Sequence, residues 1–181
     1  MNFANKLTML RILLIPLFLA CFYIKSLVQQ WNYIAAFIFI AAYLTDIFDG
    51  NYARSHNIVT TFGKFMDPIA DKMLTGSAVI MLVSEGMLSP LAAIIFIGRE
   101  FLISGFRLIA ANNGTVIAAS WLGKVKTVTQ CIAVVIILLK NPLFGLIGIR
   151  MDIIMLAAAL VFTIWSGFDY IYKNRKLIRF E

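Results

Sequence analysis

The sequence predicts an all-α, polytopic membrane bundle of six transmembrane helices, with residues 1–181 forming a single domain. Three observations carry that expectation. Mean hydropathy is +0.89, and charged residues make up only 14% of the chain. Several apolar runs approach the roughly 20 residues that a helix needs to cross a bilayer. Length alone, at 181 residues, fits one soluble domain, but composition overrules it.

The runs follow one another with short breaks. The first spans Thr8–Ile24 and ends at "KSLVQQ". Lys6 and Arg11 ahead of its apolar part, and the later "FLAC", are loosely like a cleaved leader. Cleavage at Cys21 would discard a span and leave an odd number, so an uncleaved first helix is expected. The second run covers Trp31–Arg54 and ends at "SHNIVTTF". The third is Gly63–Val83, closed by "SEGMLS", and the fourth is Pro90–Ala111, closed by "NNGTVIAAS". The fifth, Trp121–Leu139, meets "KNPLFGLIGIR", and the sixth is Asp152–Tyr172. No linker, repeat or low-complexity tract interrupts them. Cys21 and Cys131 both fall in apolar runs and read as packing residues, not as a disulfide or a metal site.

Orientation follows from the basic residues. With the N-terminus in the cytoplasm, thirteen of the sixteen Lys and Arg residues fall on the inner side, and only Lys25, Lys140 and Arg150 fall outside. The positive-inside rule then puts both termini in the cytoplasm. The net charge of +7 is accounted for by a basic face beside anionic lipid and requires no nucleic acid. The tail "YKNRKLIRFE" reads as a stop and surface anchor.

Against this apolar background stand four aspartates, Asp46, Asp49, Asp67 and Asp71, out of nine acidic residues in the chain. A carboxylate at the bilayer centre costs roughly 2.5–3.5 kcal/mol on insertion scales. Asp46, Asp49, Gly50 and Ala53 stand at offsets of three, four and seven, which is one helix face. Gly63, Asp67 and Asp71 form a second stripe at four-residue spacing. A short loop joins the two helices, so the stripes meet at similar depth near the cytoplasmic side. Four carboxylates held together repel, and cations relieve the repulsion. An oxygen-only donor set favours Mg²⁺, Mn²⁺ or Ca²⁺, and His56 in the loop offers no His-rich alternative. Four anions neutralise two divalent ions, a recurring arrangement for displacement at phosphorus. Gly50, Ala53 and Gly63 leave room for a ligand, and Arg54 is a candidate phosphate clamp. For one aspartate at a helix end, pairing with Arg54, Lys64 or Lys72 is the simpler account. For four in matched stripes, a site is.

The pattern "DIFDGNYAR" from Asp46, then "SHNIVTTF", then "GKFMDPIAD" to Asp71 resembles without departure the signature of the CDP-alcohol phosphotransferase family. The six-span architecture matches that fold too. The resemblance implies that the aspartates bind two divalent metal ions, Mg²⁺ or Mn²⁺, which hold the diphosphate of a CDP-linked lipid. It further implies that Asp71 is the general base toward an acceptor hydroxyl, and that Gly50, Ala53, Arg54 and Gly63 line the nucleotide. The start "NKLTMLR" is similar to the family's Asn-x-x-Thr-x-x-Arg segment, which adds Asn5, Thr8 and Arg11 on the nucleotide side.

The second half bears on the acceptor. "GREFLISGFR" places Glu100, Ser104 and Arg107 on one face of the fourth helix, with Arg99 beside them, and "WLGKVKT" adds Lys124 and Lys126. The plain reading is an intramembrane Glu–Arg pair with two interfacial lysines. The sharper one is a basic pocket for an acceptor that itself carries a phosphate. The stretch resembles the bacterial phosphatidylglycerophosphate synthase branch of the family. That implies CDP-diacylglycerol as donor, sn-glycerol 3-phosphate as acceptor, phosphatidylglycerol phosphate as product and membrane lipids around the site. Arg107, Lys124 and Lys126 are then candidates for the acceptor phosphate, with Arg99 a fourth. Inositol phosphate or phosphatidylglycerol as acceptor are rivals within the family. A divalent-cation transporter is a rival outside it, but a conduction path needs polar groups through the full depth, and "AAFIFIAA" and "SAVIMLVS" are nearly all apolar. Small residues and exposed aromatics on the last two helices allow a homodimer, which rests on family expectation.

Overall fold

The computed structural model describes residues 3–55, 61–112, 114–115, 117–118, 120–145 and 147–175. Within its helices, the side chains of 3–6, 46–55, 61–65 and 143 lie outside the description. Among the described residues the regular structure is entirely helical. The six long helices are α1 (Phe3–Tyr23), α2 (Trp31–Ser55), α3 (Thr61–Ser84), α4 (Pro90–Asn112), α5 (Trp121–Leu138) and α7 (Met151–Asn174). A four-residue turn of helix, α6 (Pro142–Gly145), falls in the last break. Every expected apolar run is therefore a helix, within a few residues at each end.

Two of them, α5 and α7, are long and apolar enough to cross a membrane. Leu7–Tyr23 and Trp31–Thr45 are shorter apolar stretches. Among the described residues, Asp67, Asp71 and Lys72 crowd the first turns of α3, and Arg99, Glu100 and Arg107 interrupt α4; the stretches of α1 and α2 are bounded by the described side chains. Large apolar side chains nevertheless face outward on all six long helices, among them Leu13, Phe37, Ile80, Phe101, Val128 and Phe168. Such an outward-facing apolar surface belongs to a protein solvated by lipid.

The helices gather into two compact units, Met1–Glu85 and Gly86–Glu181. In the first, α1 packs on α2 and α3. Ala35, Ala36 and Ala42 of α2 are fully buried, and small residues of this kind let helix backbones approach closely. Phe18 of α1 is fully buried as well. Its ring meets Phe22 edge-on at 5.2 Å and lies 5.9 Å from Phe39. Two polar links join α1 and its following turn to α3. Thr8 bonds Asp67 near the start of both helices, and Lys25 pairs with Glu85 at 2.7 Å past the end of both.

In the second unit α7 packs on α5 and α4. Ala159, Thr163 and Ser166 form a fully buried small-residue stripe on α7. Thr163 and Ser166 satisfy their hydroxyls on backbone carbonyls of their own helix, of Ala159 and Thr163 respectively, which keeps the stripe smooth. Helix α5 begins at Ser120, whose hydroxyl accepts the Gly123 amide at 3.1 Å, an ordinary N-cap. It ends where Lys140 and Asn141 both take positive φ, 58° and 56°. The Asn141 amide donates to the Ile149 carbonyl at 2.7 Å, closing the loop around α6. This compact loop was expected only as a break, because the side-chain contact that closes it spans eight residues.

Candidate active site

Helix α3 carries two of the four aspartates in described form. Asp67 and Asp71 stand one turn apart, both partly buried, so their carboxylates share a face. Ala70, Leu74 and Ala78 on the same helix are buried in the first unit. This apolar side fixes the rotation of α3 and with it the direction of the aspartate stripe. One turn further on, Thr75 is buried and donates its hydroxyl to the Asp71 backbone carbonyl at 3.0 Å.

Thr8 and Arg11, three residues apart on α1, are 1% and 0% exposed. The Thr8 hydroxyl donates to Asp67 Oδ1 at 2.6 Å, a short, charge-assisted bond. The sequence pattern placed Thr8 with the nucleotide. The structure seats it directly on Asp67 of the α3 stripe, and this link is one the sequence reading did not draw. The signal for it was present in the three-residue spacing of Thr8 and Arg11, which marks a polar face on an otherwise apolar helix.

Asn5, Asp46, Asp49, Gly50, Ala53, Arg54 and Gly63 lie outside the described side chains, and His56 lies outside the described residues altogether. Among the described residues no group of three or more Asp, Glu, His or Cys side chains gathers to hold a metal. The donors that are described are oxygen only. Asp67 keeps a second carboxylate oxygen besides the one bonded to Thr8, so this part of the stripe fits a hard divalent cation.

The basic residues of the second unit are sorted by their partners. Lys126 is 1% exposed, and its ammonium meets Glu100 Oε1 at 2.6 Å. The intramembrane pair expected of Glu100 is thus with a lysine of α5, not with an arginine of its own helix. Arg107 is exposed, donates from Nε to the Tyr170 hydroxyl at 3.1 Å, and places its guanidinium carbon 5.4 Å from the centre of that ring. Lys124 is exposed in the first turn of α5. The Arg99 stem runs beside Gly167, where an added Cβ would sit 3.4 Å from its Cγ, and its Nη2 reaches within 3.6 Å of such an atom on Gly123. Arg99 also lines an apolar groove of about 340 Å³ with Gly98, Leu102, Ile164 and Phe168. Its environment differs from that of Arg107, and Ser104 bonds back to the Glu100 carbonyl at 2.6 Å. Tyr170 had no signal in the sequence, where it is one aromatic among six tyrosines.

A family model described as CDP-alcohol phosphatidyltransferase matches residues 1–165. A protein of Bacillus subtilis named CDP-diacylglycerol--glycerol-3-phosphate 3-phosphatidyltransferase is 42% identical, over 98% of this chain and 97% of its own. Proteins of the same name from Rickettsia felis and Sodalis glossinidius are 38% and 39% identical, each over 97% of this chain and 96% of its own.

Proposed function

Because this chain belongs to the CDP-alcohol phosphatidyltransferase family, we propose that it transfers the phosphatidyl group of CDP-diacylglycerol to sn-glycerol 3-phosphate. The products are phosphatidylglycerol phosphate and CMP, and the reaction is a step in making phosphatidylglycerol. The observation that carries this reading is the α3 stripe of Asp67 and Asp71 with Thr8 bonded to it, in a chain similar to transferases of that name along nearly its full length.

Asp46, Asp49, Asp67 and Asp71 would hold two divalent ions, Mg²⁺ or Mn²⁺. Bound there, they neutralise the diphosphate and the charge that develops on phosphorus oxygens and leaving CMP. Asn5, Thr8, Arg11, Gly50, Ala53, Arg54 and Gly63 line the nucleotide. An acceptor hydroxyl oxygen attacks the phosphorus that bears diacylglycerol, the bond from that phosphorus to CMP breaks, and the hydroxyl proton passes to Asp71. Aspartate is a weak base toward an alcohol, so the proton moves late, once the oxygen has begun to bond. Arg107, Lys124 and Lys126, with Arg99, hold the acceptor phosphate, and Lys126 does so as one half of an ion pair.

The reading extends to topology. Six membrane spans in a bacterial cell membrane, with both termini and the aspartates cytoplasmic, follow from the Lys and Arg asymmetry and from the outward apolar residues on every long helix. Residues 1–181 are taken as one domain on the extent of the family match, and a homodimer rests on the family alone.

The deciding assay follows CMP release from CDP-diacylglycerol by purified protein in detergent. Release is expected only with glycerol 3-phosphate and Mg²⁺ or Mn²⁺ both present, and chelation is expected to abolish it. Metal-dependent release driven instead by inositol phosphate or phosphatidylglycerol would keep the aspartates and remove the acceptor assignment. Thr8→Val keeps the shape of the side chain and deletes the donor to Asp67. It is expected to raise the Mg²⁺ concentration for half-maximal release about tenfold, as loss of a group that orients a ligand does. An unchanged metal dependence would detach Thr8 from the site.

A further inference from the structure

We infer that Tyr170 is a positioning residue that sets the acceptor specificity of this enzyme by aiming Arg107; this rests on the reading of Arg107 as a phosphate-binding residue. An arginine on the surface of a helix samples many rotamers, and binding through it costs that freedom. Here the freedom is already removed. The Tyr170 hydroxyl accepts from Arg107 Nε at 3.1 Å, and the ring lies 5.4 Å from the guanidinium carbon, within the range of a cation–π contact.

Tyr170 is itself held from several sides. It is 1% exposed, packs with Ile103, Phe106 and Ile117, and meets the Phe106 ring edge-on at 5.9 Å. The Asn174 amide fixes its backbone carbonyl at 2.8 Å. A phenol buried in this way is a rigid mount, not a mobile neighbour.

Two features of the mount match a phosphate monoester. The bond occupies Nε, so an anion meets the two terminal nitrogens end-on, the fork that grips two phosphate oxygens. The phenol is neutral, so the charge of Arg107 is left for the ligand. Lys126 is the contrast, because Glu100 at 2.6 Å already offsets its charge. Arg107, like the exposed Lys124, thus meets the acceptor with a charge that no carboxylate among the described residues is shown to offset, and Tyr170 fixes where the Arg107 charge points.

The test is steady-state kinetics of the full-length protein in detergent, with glycerol 3-phosphate and CDP-diacylglycerol varied in turn. Tyr170→Phe keeps the ring and deletes the acceptor oxygen. Its KM for glycerol 3-phosphate is expected to rise about fivefold, the scale of one net hydrogen bond, with kcat and the KM for CDP-diacylglycerol unchanged. Arg107→Lys keeps the charge and deletes Nε. It is expected to raise the same KM by a similar factor, and adding Tyr170→Phe to it should change nothing more. A wild-type KM for glycerol 3-phosphate in Tyr170→Phe overturns the inference, as does a fully additive double variant. Arg107→Ala separates this from the reading beneath it. That variant is expected to raise the KM by more than tenfold, and an unchanged KM removes Arg107 from the acceptor site and the role of Tyr170 with it.

Discussion

Asp71→Asn is expected to lower the rate of CMP release about a thousandfold, within the range for removal of a positioned proton acceptor, while the protein stays folded. Asparagine has nearly the same shape as aspartate, and Asp71 is only partly buried, so the packing of α3 on α1 is preserved by Ala70, Leu74 and Ala78. What is lost is the proposed proton acceptor and one charge of the aspartate stripe. The two losses are separable. Raising Mg²⁺ repairs a weakened metal site but leaves the missing base, so the rate at saturating metal reads the base alone. Wild-type release from Asp71→Asn at any Mg²⁺ concentration would show that the proton goes elsewhere. Binding of a CDP-linked ligand serves as the folding control, because the residues proposed to line the nucleotide stand on α1 and α2 as well.

Glu100→Ala is expected to destabilise the second unit by about 3 kcal/mol, the cost of removing one side of a buried ion pair. Lys126 is almost wholly enclosed, so removing the Glu100 carboxylate takes away the countercharge held 2.6 Å from its ammonium. The double variant Glu100→Leu with Lys126→Met is expected to recover most of the loss, since it removes both charges and fills similar volume. Thermal unfolding in detergent measures both. A single variant as stable as the parent would mean that the pair contributes little. A double variant as unstable as the single would mean that packing, not charge, was lost.

The helices were legible in the sequence because a membrane chain writes them as apolar runs with polar breaks, and all six long helices lie where those runs are. The α3 aspartate stripe was legible because helical periodicity turns spacing into a shared face, as Asp67 and Asp71 demonstrate. Periodicity does not say which neighbour a face meets. Thr8 was visible as a polar residue on α1, but its bond to Asp67 crosses 59 residues. Lys126 read as one of two similar lysines, yet it is buried on Glu100 while Lys124 is exposed. Tyr170 lies 63 residues from Arg107, and no local pattern ties the two. The turn of helix α6 went unread for the same reason, since Asn141 closes that loop through the Ile149 carbonyl.

The two links between α1 and α3, Thr8 to Asp67 and Lys25 to Glu85, turn this pair of helices into a ruler. Seventeen residues separate Thr8 from Lys25 on one side and eighteen separate Asp67 from Glu85 on the other. At 1.5 Å per residue both lengths come to about 26 Å, close to the roughly 30 Å of a bilayer's hydrocarbon core. With a bond at each end, sliding one helix along the other would break both, so α1 and α3 keep their register and carry Asp67 as one body.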